Sequence, residues 1–376
     1  MALTILCSGH LVRYPLGGHS WHHLQYLVGL KRLGHEVYFF ENYGWPGSCY
    51  DPETNVRTGD ASYGIKYLQG LLRPFGLDQN WCYLAEDGVS YGMSREQLTE
   101  VCRDCDAYFN LSNINWIPDL ELCRRRILVD TDPVFTQIGG FGMGDFSRYQ
   151  VLFTYGENIH QPGCEMPDSG VQWLPTHQPV VLDLWPFETG DPDSTFTSVM
   201  NWTNFGAKTY QGKVYGQKDR EFEPFFSLPK TVGEPMELAI GVPKDVRRRL
   251  IEGGWKLAGP RVVTKDPWTY QQYIRSSRAE FCVAKHGYVS TQCGWFSDRS
   301  SAYLAMGRPV VVQDTGFSRF LPSDSGLLPY RTPDEAVQRI REVKQNYSKH
   351  CRAARGIAES YFDSDLVLTD LLEKSL

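Results

Sequence analysis

The opening segment sets the fold class. "LTILCSG" is a short apolar run that ends in a glycine-bearing loop, and "HEVYFFE" is a second such run. Between them, "HHLQYLVGLKRLG" places Leu24, Leu27, Val28, Leu30 and Leu33 at helical spacing, with Gly34 as a stop. A strand, a helix and a strand in that order give two parallel strands joined by a right-handed crossover. The alternation continues. "SREQLTEVCRDC" predicts a helix with Ser94 as N-cap and Gln97 in capping-box register. "DAYFNLS" and "RRRILVDTD" predict strands ending in polar residues, where a parallel sheet presents its ligand edge.

The alternation breaks between about 175 and 197, where "PTHQPVVLDLWPFETGDPDST" carries four prolines, and then restarts. "FTSVMNW", "MELAIG", "RVVTKD" and "AEFCVAK" predict strands, with "PKDVRRRLIEGG" and "PWTYQQYIRSS" as helices among them. "TPDEAVQRIREVKQ" is a helix with Thr332 and Glu335 as a capping box. Two Rossmann-like α/β domains facing across a cleft are expected: 1–190, 191–360 and a C-terminal helix at 361–376 that can cross back to the first. At 376 residues the chain exceeds one typical core.

Composition narrows the function. A net charge of −6 leaves no basic surplus for a nucleic-acid footprint. The start lacks the basic n-region of a signal peptide, and no run reaches the length of a membrane span. Ten cysteines form no framework, and Cys102 and Cys105 have no second pair to complete a zinc site. A cytoplasmic location is expected.

The densest stretch is "QCGWFSDRSSAYLAMGRPVVVQDTGF". Ser297 caps a helix over 298–306 that Gly307 stops. Its first turn offers unpaired amides, Arg299 and the hydroxyls of Ser300 and Ser301, a set suited to a diphosphate. Asp298 either caps the helix or holds Arg299. Val310, Val311 and Val312 then bury, and Gln313, Asp314 and Thr315 emerge where a sugar's hydroxyls can be read. An ordinary helix start and loop would look the same locally. "GKVYGQKDREF" lacks the P-loop spacing.

This stretch resembles the donor-binding segment of GT-B glycosyltransferases. Cys293, Gly294, Trp295 and Ser297 match the inverting enzymes' pattern, with Gln292 where they carry a phosphate-binding histidine and Gly307 two residues late. Of the retaining enzymes' glutamate pair neither is present: Gly294 and Ala302 stand there. A bacterial group of GT-B proteins with "GWFSDRS" and "GRPVVVQDTGF" resembles the chain over both halves. The loop "GGHSWHHLQYLVGLKRLGHEV" is similar to both classes, with His19 at the inverting family's base and Gly17, Gly18 and His22 at the retaining family's intervals.

The resemblance implies a glycosyltransferase moving a sugar from a UDP- or dTDP-sugar to a hydroxyl of a small-molecule acceptor, without metal or other cofactor. Inversion is the expected outcome, a retaining enzyme and a silent nucleotide- or partner-binding module being the alternatives. His19 is the candidate base, Asp132 or Asp130 the rival. Gly17, Gly18, Trp268, Lys285, His286, Gly294, Ser297, Asp298, Arg299, Ser300, Gln313, Asp314 and Thr315 are assigned to the donor. His22, Trp21 and Trp116 are assigned to the acceptor, core packing being the other reading of the aromatics. Oligomeric state is open.

Overall fold

The computed structural model describes residues 2–139 and 145–376. The first sheet holds β1 (Thr4–Ser8), β2 (Glu36–Asn42), β3 (Trp81–Leu84), β4 (Ser90–Gly92), β5 (Ala107–Leu111), β6 (Arg126–Asp130), β7 (Val151–Thr154) and β8 (Leu174–Pro175). Their order is β8-β7-β6-β5-β1-β2-β3-β4, parallel throughout except for the β3–β4 edge. The second sheet holds β9 (Phe196–Asn201), β10 (Met236–Gly241), β11 (Lys256–Ala258), β12 (Ala279–Cys282), β13 (Val310–Gln313) and β14 (Leu327–Tyr330). It runs β11-β10-β9-β12-β13-β14 and is wholly parallel. Central strands such as β5 and β13 are buried along their whole length, which is why they read as continuous apolar runs.

Each sheet reverses its winding once, between β1 and β5 in the first and between β9 and β12 in the second. The crevice outside the carboxyl ends of such a strand pair is where open α/β sheets bind ligands.

Three helices bear on these crevices, α1 (Gly17–Arg32), α2 (Pro267–Ser276) and α3 (Asp298–Ala305), and a fourth, α4 (Ser364–Ser375), packs on α1. α1 follows β1 but packs across the boundary onto the second unit. Its Gly17 amide donates to the Thr264 carbonyl (2.7 Å), and Trp21 Nε1 donates to the Pro267 carbonyl (2.7 Å). One apolar cluster therefore runs through both units, taking in Trp21, Trp185, Tyr270, Phe296 and Ala302. α4 lies along α1, with Leu368 and Ser364 against Gly29.

A Cβ on Gly17 would sit 2.2 Å from the Asp266 carbonyl oxygen, which is backbone and cannot swing away. Gly17→Ala is expected to cost about 1–3 kcal/mol through overpacking, although alanine is the better helix former. A thermal-unfolding midpoint equal to the parent's would show that the contact is absent in solution.

Both capping boxes form, Ser94 with Gln97 and Thr332 with Glu335. Ser297 caps α3 by accepting the Arg299 amide. Two expectations fail. "RVVTKD" is no strand: Lys256–Ala258 takes the edge position, and Pro260, with no amide for a ladder, opens the short helix Pro260–Val263. The glycine loop is also shorter than the sequence suggests, because the contact to Thr264 lets α1 start at Gly17. His19 thus lies in the helix's first turn and not in the preceding loop.

Candidate active site

At the second sheet's switch point three cations converge from different segments. Arg299, in the first turn of α3, reaches between β9 and β12. Its Nε donates to Glu280 Oε1, Nη1 to the Val199 carbonyl (2.7 Å) and Nη2 to Cys282 Sγ (2.8 Å). Glu280 is fully buried in β12, so Arg299 is the counter-charge that makes that burial tolerable. The guanidinium is thereby pinned inward, with three of its N–H donors, one on each nitrogen, committed to the fold.

Lys285, just beyond β12, donates to both carboxylate oxygens of Asp132 (2.8 and 2.7 Å), which the Tyr288 hydroxyl also meets. Asp132 follows β6, so this ion pair ties the two units together across the cleft. The carboxylate's lone pairs are occupied, which is not the condition of a waiting base. Its neighbour Asp130 is buried against Gln137 and Thr154, burial pushing its pKa up, and serves the fold.

The third cation, Lys218, escaped the sequence reading. Its side chain is buried, and its ammonium makes no hydrogen bond or ion pair among the described residues. Burial, with Arg299 and Lys285 pushing the same way against Cys282 and Glu280, brings its pKa down to about 8. His286 stands beside it, its Nδ1 accepting the Gly216 amide (3.3 Å). Ser300 adds a buried hydroxyl without a partner.

The remaining donor candidates are already satisfied. Gln313 donates to Glu221 Oε2 (2.6 Å) and accepts the Ala284 amide (3.1 Å). Asp314 holds Arg331 and Ser318, and Thr315 donates to the Trp295 carbonyl (2.5 Å). Gly294, at φ +83°, packs its backbone on Asn158, and Gly17 and Gly18 pack on Asp266 and Tyr270. These glycines permit close approach of the two units rather than of a phosphate. Trp268 is 46% exposed and meets Trp21 edge-on (5.4 Å between centroids). Trp21 itself is 2% exposed, and Trp116 lies under the Arg148 guanidinium and edge-on to Tyr149, so both act in packing.

A crevice opens between α1 and α3, lined by Gly18, His22, Tyr155, Asp298, Arg299 and Ser301. There His22 Nδ1 faces Asp298 Oδ2 at 3.6 Å, while His22 Nε2 is buried with no partner. With its proton on Nδ1 toward the carboxylate, this imidazole presents a lone pair on Nε2. Burial holds the ring's pKa below the ordinary imidazole value, and the Asp298 charge offsets that effect in part.

His19 is placed differently. Its ring lies among His10 and His23, its Nε2 donates to the His10 carbonyl (3.0 Å), and burial first, then His22, lowers its pKa to about 3. So weakly basic a group, already hydrogen-bonded, is a poor match to general-base work.

Two parallel-sheet units with opposed switch points make up the GT-B arrangement. Known structures share it over nearly the whole chain. An alpha-glucosyltransferase in complex with UDP-glucose and DNA containing an abasic site matches with TM-score 0.59 at 11% identity, covering 98% of each chain. AviGT4, a glycosyltransferase involved in avilamycin A biosynthesis, matches with TM-score 0.58 at 12% identity over 99% of this chain and 97% of its own. Anabaena HepE, in complex with UDP and glucose, matches with TM-score 0.57 at 11% identity over 99% of each. No family model and no curated protein matches the sequence. Among the described residues no helix is long and apolar enough to cross a membrane.

Proposed function

We propose that this chain is a glycosyltransferase that moves a sugar from a UDP-sugar to a hydroxyl of a small-molecule acceptor, with inversion and without metal in the transfer step. The observation that carries the reading is Lys218, a buried cation that makes no ion pair or hydrogen bond among the described residues, at the switch point of the second sheet. A desolvated ammonium is costly unless an anion joins it, and a diphosphate leaving group supplies one. The common fold and the UDP bound to similar proteins favour that anion over others.

His22 is the proposed base. Asp298 orients it and stabilises the imidazolium that forms as it takes the acceptor hydroxyl's proton. The pair comes from two units, so closure of the cleft assembles it. dTDP is the alternative nucleotide. The net charge of −6 weighs against a DNA acceptor.

Thermal unfolding with UDP, dTDP, GDP and ADP tests the reading. A diphosphate at 100 times its dissociation constant adds about 2.7 kcal/mol to the folded state. UDP is expected to raise the midpoint, and NMR of the transfer product from an α-linked UDP-sugar is expected to show the β anomer. A folded sample that responds to no diphosphate overturns the donor site, and a retained anomer overturns the role of His22.

A further inference from the structure

The geometry points to a metal site, of the kind that three imidazoles give Zn2+, built by His10, His19 and His23 at the switch point of the first sheet. His19 and His23 are four residues apart on α1 and share one face. His10 enters from the turn after β1. One ring nitrogen from each of the three lies within 4.8 Å of the others, and the ring centroids are 3.9, 4.6 and 5.5 Å apart.

The hydrogen bonds around these rings prepare them for a metal. A carbonyl can only accept, so His19 Nε2 carries the proton it gives to the His10 carbonyl, and the lone pair is on Nδ1. By the same logic His23 donates from Nδ1 to the His19 carbonyl (2.9 Å), which leaves the lone pair on Nε2. That atom now takes only a long contact from the His10 amide (3.3 Å). Metal-bound histidines are oriented in this manner, the far nitrogen donating to a carbonyl. His10 Nδ1 is buried with no partner at all.

The rings are also held in place. A Cβ on Gly9 would meet His23 Cδ2 at 2.0 Å, so the imidazole rests directly on the Gly9 backbone. Tetrahedral zinc bonds nitrogen at about 2.0–2.1 Å. Closing on it requires the ring nitrogens to draw together from the 4.8 Å that bounds them without the ion. Three neutral imidazoles leave a fourth position for water, and the bound ion would fix the first two turns of α1, the second of which carries His22. The transfer step proposed above does not depend on this ion.

The test uses the full chain, free of any affinity tag and stripped with chelator. Titration with Zn2+ is expected to show one ion per chain, and Co2+ in its place is expected to give the visible d–d bands of a tetrahedral site with nitrogen ligands. His10→Gln, in a turn, and His19→Gln should each weaken binding at least tenfold while the circular dichroism stays unchanged. No bound metal, or binding that both variants retain, overturns the site. Sulfur-to-metal charge-transfer bands with Co2+ would instead place the ion on the cysteines and overturn it equally.

Discussion

Replacing His22 by alanine is expected to slow sugar transfer by about 10²–10⁴-fold, the usual contribution of a positioned general base, with UDP affinity nearly unchanged. The acceptor need not be known to read this. Water can take its place, so UDP release from the UDP-sugar reports the same proton transfer. His22 fits the role because its Nε2 is buried, unpartnered and in the crevice, and because Asp298 stands at its other nitrogen. Asp298→Asn should lose a comparable amount, since an amide N–H facing Nδ1 moves the ring proton to Nε2 and removes the lone pair that takes the acceptor's proton. His19→Gln should leave the proton-transfer step itself in place, its Nε2 being spent on the His10 carbonyl. A His22→Ala protein that turns over at the parent rate would remove the base from this crevice.

The difference between His19 and His22 shows what the sequence can carry. Local alternation and capping signals are encoded within a few residues. Strands β1, β2, β5 and β6 of the first sheet and β9, β10, β12 and β13 of the second, the Ser94 and Thr332 caps and the Ser297 start of α3 were therefore legible, whereas the edge strands and β3 and β7 were not. The start of α1 was not. It depends on a hydrogen bond from Gly17 to Thr264, far away in the chain, and that contact puts His19 into the helix and turns His22 toward Asp298.

The polar tip of β13 shows the same limit. Gln313, Asp314 and Thr315 are well suited to reading a sugar, but Glu221, Arg331 and the Trp295 carbonyl reach them first. Arg299 has the right position for a phosphate and the wrong partner, a glutamate inside "AEFC". A charged residue within an apolar strand was the one hint that a buried counter-ion was needed. Lys218, in the charged run "GQKDREF", looks like a surface lysine until the fold covers it.

Lys218→Met separates binding from folding by sign. A cation contributing to the fold loses stability on removal, whereas the burial of Lys218 outweighs the pull of Cys282 and Glu280, so its charge opposes folding. Its pKa falls from 10.5 to about 8, a difference worth roughly 3 kcal/mol, so the variant should be more stable than the parent at pH 7 by up to that amount. UDP affinity should fall about 30-fold or more, the least cost of truncating one partner of a desolvated charge pair.

The pH dependence follows from the same shift. Below about pH 8 the lysine is protonated in both states and the folded form bears the full cost. Between about 8 and 10.5 the folded form has released a proton that the unfolded chain still holds, so this group makes stability rise with pH. UDP affinity runs the other way, declining above about pH 8 because binding must then return a proton to the amine. Calorimetry in buffers of different ionisation enthalpy reads that uptake directly. The variant should lose both the rise in stability and the proton uptake. If Lys218→Met unfolds more easily than the parent, the lysine serves the fold; if it binds UDP as tightly, the diphosphate lies elsewhere.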